Sequence, residues 1–166
     1  MSEQLRGGIF NIVPTPFDAS SALDEASLAR LIDFVIDTGV DGVTILGVLG
    51  EAAKLSEAER VKVIDITVTT AAGRLPVVVG ATHAATDRSV AYAREAADRG
   101  AAALMISPPA LTRPNEPAVQ RHYQALADAV DLPIVVQDFP PASGVHMTPA
   151  FIGRLAANIP SCRWLK

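Results

Sequence analysis

Lys166 follows the short run Cys162-Arg163-Trp164-Leu165. Most lysines are solvated charges. One at the C-terminal end of a buried strand, held in apolar surroundings, loses charge stabilisation, and its pKa falls. The neutral amine can then attack a carbonyl carbon and form a Schiff base. A second stretch, Gly47-Val48-Leu49-Gly50-Glu51, follows a continuous apolar run. Backbone amides in a tight glycine turn aimed at a helix start form an anion site. The competing reading is that Gly47 and Gly50 only permit a sharp strand-to-helix turn. His83, His122 and His146 show no metal-ligand spacing. His83 reads as a surface or capping residue. Cys162, although beside Arg163, reads as a pre-strand cysteine more than an activated thiol.

Positioning these groups requires strands and helices in alternation, and the chain spells them out. Gly8–Pro14 reads as a first strand. Asp24 and Glu25 open a helix whose apolar residues Leu28, Leu31, Ile32, Val35 and Ile36 share one face, and Gly39 stops it. Val43–Leu46 is a second strand. Ser56 caps a second helix, with Glu59 three residues on to complete a capping box, and Gly73 ends it. Leu75–Gly80 is a third strand and Thr86–Arg99 a third helix, with alanines suited to close packing. Ala103–Ile106, closed by Ser107-Pro108-Pro109, is a fourth strand. A helix over Pro117–Val130, a fifth strand at Pro133–Gln137 and a turn-rich loop over Pro140–Val145 follow. Thr148-Pro149 caps another helix, and Trp164-Leu165-Lys166 begins a sixth strand.

The strands are apolar runs, not alternating patterns, which predicts a parallel sheet covered on both faces. Their centres recur roughly thirty residues apart, as βαβ units do. The fold class is therefore α/β, and either a doubly wound sheet or a (β/α)₈ barrel fits the pattern. No linker or low-complexity stretch interrupts residues 1–166, so a single domain is expected.

Composition narrows the function classes. Hydrophobic residues are 49% and charged residues 19%, a globular balance. The net charge of −4 offers no basic stripe for nucleic acid or an acidic membrane. No apolar run reaches the ~18 residues of a membrane span. Met1–Arg6 lacks an apolar signal segment. A single cysteine fits a cytoplasmic setting without disulfides.

An ordered set of motifs resembles one family. It comprises Val13-Pro14-Thr15-Pro16-Phe17, Gly39-Val40-Asp41-Gly42, Leu46-Gly47-Val48-Leu49-Gly50-Glu51 and Leu55-Ser56-Glu57-Ala58-Glu59-Arg60. It continues through Leu132–Val136, Pro140, Ser143-Gly144 and Leu165-Lys166. Together these resemble the dihydrodipicolinate synthase and N-acetylneuraminate lyase family, lysine-dependent class I aldolases. The resemblance implies a (β/α)₈ TIM barrel, of which this chain supplies about the first five βα units and the start of strand 6. The chain is thus expected to end early relative to a whole barrel. It implies that Lys166 forms the Schiff base with pyruvate or another 2-oxo acid. It also implies that Gly47, Val48, Leu49 and Gly50 hold that acid's carboxylate, with Glu51 a helix-start or network carboxylate.

The departures from the family pattern carry information. The family's turn hydroxyls are replaced by Val48 and Leu49. Its strand-5 tyrosine, the usual acid/base group, is replaced by Gln137, which cannot transfer protons as a phenol does but can donate a hydrogen bond. Pro109 and Ala110 stand where the synthases carry paired tyrosines, and Ala142 stands where they carry a substrate-gripping arginine. The resemblance then implies a Schiff-base lyase, with Lys166 and Gln137 catalytic, acting on pyruvate or another 2-oxo acid in a reaction other than that of the standard synthase or sialic acid lyase. The imine is itself the electron sink, so no metal or organic cofactor is called for. A homo-oligomer, dimer or tetramer, is the expected assembly. Two other classes compete. One is a catalytically silent barrel that binds a 2-oxo acid, and the other is a shortened chain with an assembly role.

Overall fold

The computed structural model describes residues 7–166. The N-terminal stretch Met1–Arg6, read above as lacking a signal segment, lies outside the described residues. The chain forms two compact units. The first runs to Gly80 and includes Arg99–Ala103. The second comprises Ala81–Asp98 and Leu104–Lys166.

The first unit holds β1 (Phe10–Ile12), α1 (Glu25–Asp37), β2 (Gly42–Ile45), α2 (Glu57–Ala71) and β3 (Val77–Gly80). β1 pairs with β2, and β2 with β3, both in parallel. All four residues of β2 and of β3 are buried, as continuous apolar runs require when both faces are covered. Asp24 caps α1 by accepting from the Ser27 amide at 2.9 Å. Leu28, Ile32 and Val35 form its buried stripe. Gly39, at φ 79°, supplies the left-handed residue that ends it.

The capping box of α2 is present. Ser56 Oγ accepts from the Glu59 amide at 3.3 Å, and Glu59 Oε2 accepts from the Ser56 amide at 2.8 Å. α1 packs on α2. Lys62–Glu25, an exposed pair at 2.6 Å, also links them. Such a pair contributes at most ~1 kcal/mol, whereas each fully buried aliphatic side chain contributes about 1.5–3 kcal/mol. Apolar burial therefore decides the packing.

The second unit holds α3 (Thr86–Asp98), α4 (Glu116–Ala129), β5 (Ile134–Val136), α5 (Pro140–Ser143), α6 (Pro149–Asn158) and β6 (Cys162–Leu165), together with β4 (Ala103–Ile106) from Leu104 onward. β4 pairs with β5 and β5 with β6, again in parallel. The turn-rich loop expected at Pro140–Val145 contains the four-residue helix α5, because two prolines at its start suit the first helical turn. Thr148 caps α6 by accepting from the Phe151 amide at 3.1 Å. No helix among the described residues is long and apolar enough to cross a membrane.

α3 packs on α4, and the contact buries a histidine. His122 is 1% exposed. Its Nδ1 lies 3.0 Å from Thr86 Oγ1, and its Nε2 is buried with no partner among the described residues. A second ring proton would have no acceptor, and burial lowers the His122 pKa from 6.5 to about 4. Between those values the unfolded chain binds more protons than the folded one. Stability therefore rises with pH across the window and is lost as pH falls from 6.5 toward about 4. A shift of this size corresponds to on the order of 3 kcal/mol. Urea titrations across that range should show this slope in the wild type and a flattened one in His122→Gln. An unchanged slope in the variant would assign the effect to another group.

Candidate active site

The glycine turn belongs to the first unit and is shaped by close backbone approach. Leu46, at the end of β2, is buried yet adopts φ 56°, and Glu51 adopts φ 54°. Two non-glycine residues in the left-handed region bracket the turn, and such strain persists only where the surroundings enforce it. The enforcing contacts are visible. A Cβ at Gly50 would lie 3.1 Å from the Leu46 amide nitrogen and 3.3 Å from the Val13 carbonyl oxygen. Thr15, 7% exposed, donates its hydroxyl to the Gly50 carbonyl at 2.6 Å.

Among the described residues the amides of Val48 and Leu49 have no carbonyl acceptor and are free to donate to an anion. The side chains of Val48 and Leu49 are exposed, at 58% and 57%. The helix start expected beyond the turn is only a 3₁₀ turn, Ala52–Lys54, and α2 begins at Glu57. A helix macrodipole is therefore not part of this cradle, and its donors are the amides alone. The Glu51 carboxylate pairs with Lys54 at 2.6 Å in solvent, which matches its reading as a network carboxylate. Removing the clamp with Thr15→Val should cost about 1–3 kcal/mol, because the Gly50 carbonyl loses its buried donor. Urea unfolding checks this, and a loss below a few tenths of a kcal/mol would show that the clamp is dispensable.

The second unit brings Gln137 and Lys166 together. The last paired residues of its strands are Ile106↔Val136 and Val136↔Leu165. One step further, the Gln137 amide donates to the Ile106 carbonyl at 2.8 Å. The Lys166 amide donates to Val136 at 2.9 Å, and the Asp138 amide to Lys166 at 2.8 Å. These bonds bracket Gln137 and set Lys166 opposite it. Ser107, Gln137 and Lys166 thus form a row across three adjacent strand ends, and residues in register share a sheet face. Within the row, Ser107 Oγ donates to Gln137 Oε1 at 3.2 Å, and both residues are buried, at 8% and 7%. Pro108 has no N–H to continue the ladder, so β4 ends at this point.

The apolar enclosure expected around Lys166 is not supplied by the described residues. Lys166 is exposed, and its neighbour Leu165 is 58% exposed. Only Cys162 of β6 is buried, because among the described residues this strand pairs with β5 alone.

The neighbouring groups resolve into structural roles. Asp138, one residue past Gln137, acts on the opposite side of the sheet, where its charge bears on the Tyr123 phenol, and its Oδ1 is buried without a partner among the described residues. Tyr123 of α4 is fully buried and donates to the Ile106 carbonyl at 2.8 Å. Burial first, then the Cys162 and Asp138 charges, hold its pKa well above the usual phenol value. Burial pushes the Cys162 thiol up to about 11, the reverse of activation. His83 Nδ1 accepts from the Ala85 amide at 3.0 Å, a turn-capping role. Gly144, at φ 68°, donates its amide to the Pro140 carbonyl at 2.8 Å and ends α5.

Ser107 and Tyr123 do not stand out in the sequence. The signal for Ser107 is its place one residue past a strand, immediately before two prolines. Tyr123 sits at the apolar helical spacing of Val119, Tyr123 and Leu126, which reads as core.

Comparison with known proteins bears on most of the chain. The model of the dihydrodipicolinate synthetase family matches residues 5–163. A 4-hydroxy-tetrahydrodipicolinate synthase of Pelobacter propionicus is 36% identical over 153 residues, covering 92% of this chain and 52% of that protein. One of Methylococcus capsulatus is 38% identical over 142 residues, covering 86% and 49%. The crystal structure of dihydrodipicolinate synthase from Rhodopseudomonas palustris is 35% identical and superposes with a TM-score of 0.89, covering 98% of this chain and 55% of that one. The chloride-inhibited dihydrodipicolinate synthase from Acinetobacter baumannii, complexed with pyruvate, is 30% identical with a TM-score of 0.92, covering 96% and 54%. The chain spans about half the length of the curated relatives it matches.

Proposed function

This chain belongs to the dihydrodipicolinate synthetase family, and from that premise we propose that it contributes the first five βα units and sixth strand of a (β/α)₈ barrel acting as a Schiff-base lyase on pyruvate or another 2-oxo acid. Lys166 is the nucleophile in this reading. Its neutral amine adds to C2 of the oxo acid, the carbonyl oxygen leaves as water, and a protonated imine remains. When the bond beyond C3 breaks, its electron pair moves into the imine and gives an enamine. The turn amides of Val48 and Leu49, held between Gly47 and Gly50, seat the carboxylate. Gln137 hydrogen-bonds the reacting oxygen. An amide does not titrate, so a water or the substrate's own carboxylate moves the proton. The working assembly is a homo-oligomer, dimer or tetramer.

The observation that carries this reading is the place of Lys166, one residue past a parallel strand and opposite Gln137. The test is peptide mass spectrometry of the full-length protein incubated with pyruvate and a panel of 2-oxo acids, with and without borohydride. A reduced adduct confined to Lys166 is expected, and its yield ranks the acids. No adduct with any of them on folded protein overturns the imine reading.

A further inference from the structure

We infer that Ser107 is a positioning residue that fixes the orientation of the Gln137 amide, turning its NH₂ toward the oxygen that leaves C2 as the imine forms on Lys166. The inference rests on the imine reading above and adds the element that makes Gln137 useful within it.

A glutamine amide has two unlike ends. One accepts hydrogen bonds and the other donates, and rotation by half a turn exchanges them. If Oε1 faced the carbinolamine oxygen, two acceptors would oppose each other. The structure holds Oε1 on the β4 side, where the Ser107 hydroxyl donates to it at 3.2 Å. Planarity of the amide then sends the NH₂ away from Ser107, and Lys166 lies across Gln137 from Ser107 in the row.

Ser107 is itself held in place. Its amide donates to Thr82 Oγ1 at 2.9 Å. The carbonyl just before it, Ile106, accepts from both the Gln137 backbone N–H and the Tyr123 phenol, each at 2.8 Å. Ser107 and Gln137 are nearly closed to solvent, so water does not substitute easily for the contact.

The chemistry balances without a titrating side chain. The Nζ–C2 bond forms as the carbonyl π pair moves to oxygen. One proton passes from nitrogen to that oxygen and a second comes from solvent, so the oxygen leaves as water. The Gln137 N–H stabilises the developing charge throughout and keeps its proton.

The test uses the full-length protein, pyruvate as the probe and the rate of borohydride-trapped adduct formation on Lys166 as the readout. Ser107→Ala should slow trapping by on the order of tenfold, Ser107→Thr should restore it, and Ser107→Cys, similar in shape but a weak donor, should fall between. In a Gln137→Leu background, Ser107→Ala should add nothing, because a residue acting through Gln137 has no further effect once the amide is gone. The inference is overturned if Ser107→Ala traps at the wild-type rate, or if it slows trapping equally in the Gln137→Leu background, which is the mark of a merely structural role. A wild-type protein that traps no adduct at all removes the imine reading and this inference with it, and that result is visible before any variant is made.

Discussion

Replacing Lys166 by alanine in the full-length protein should abolish the trapped adduct and lower turnover by at least about 10³-fold, with the unfolding midpoint unchanged. The two halves of this expectation rest on different facts. Loss of activity follows because no other group in the row Ser107–Gln137–Lys166 can form an imine, and a hydroxyl or an amide cannot replace the amine whose imine is the electron sink. The unchanged midpoint is expected because the Lys166 side chain makes no hydrogen bond or ion pair among the described residues. Lys166→Arg should be as inactive as the alanine variant, because the guanidinium stays protonated and is not a nucleophile. Gln137→Leu should be milder, about tenfold, since it removes one hydrogen bond and leaves the nucleophile. Normal turnover by Lys166→Ala would sink the mechanism outright, whereas a graded loss equal to that of Gln137→Leu would place Lys166 in binding.

How much of this was legible in the sequence depends on which force sets each feature. Helix limits set by local chemistry were readable. The Ser56–Glu59 box and the Asp24 and Thr148 caps lie where side-chain hydrogen bonds to nearby amides put them, within three residues of their partners. The parallel strands were readable too, because burial on both faces leaves uninterrupted apolar runs such as Val77–Val79. The buried face of α2 was less so. It includes Arg60 and Thr67, whose polar types hide the stripe. Arg60 is tolerated there because its guanidinium donates to the Gly80 carbonyl at 3.0 Å, a partner twenty residues away.

The site divides along the same line. Lys166 and the glycine turn were visible as residue types at strand ends. The Ser107–Gln137 contact was not, because it joins residues thirty apart through strand register, which no local pattern encodes. The strain at Leu46 was equally hidden. Leucine carries no signal for the left-handed region, and the cause lies in a glycine on the next strand.

That glycine supports the largest stability effect expected in the first unit. Gly80 ends β3, and a Cβ at this position would lie 2.0 Å from the Leu46 carbonyl oxygen and 2.6 Å from its carbon. Both are backbone atoms, so no side chain can swing aside. Relief requires β2's exit or β3's end to move, and each is pinned. Val43 and Val77 are in register three residues earlier, and Arg60 holds the Gly80 carbonyl. Gly80→Ala should therefore cost roughly 3 kcal/mol or more, at the upper end of overpacking effects. Gly153→Ala is the matched control. Gly153 lies inside α6, and a methyl group on its Cα would meet nothing within 4 Å, so alanine should be neutral or stabilise by up to about 1 kcal/mol. Urea unfolding of the two variants should give opposite signs. A Gly80→Ala protein as stable as wild type would mean that β2 and β3 can part at this point, and the close approach would then not be what bends Leu46.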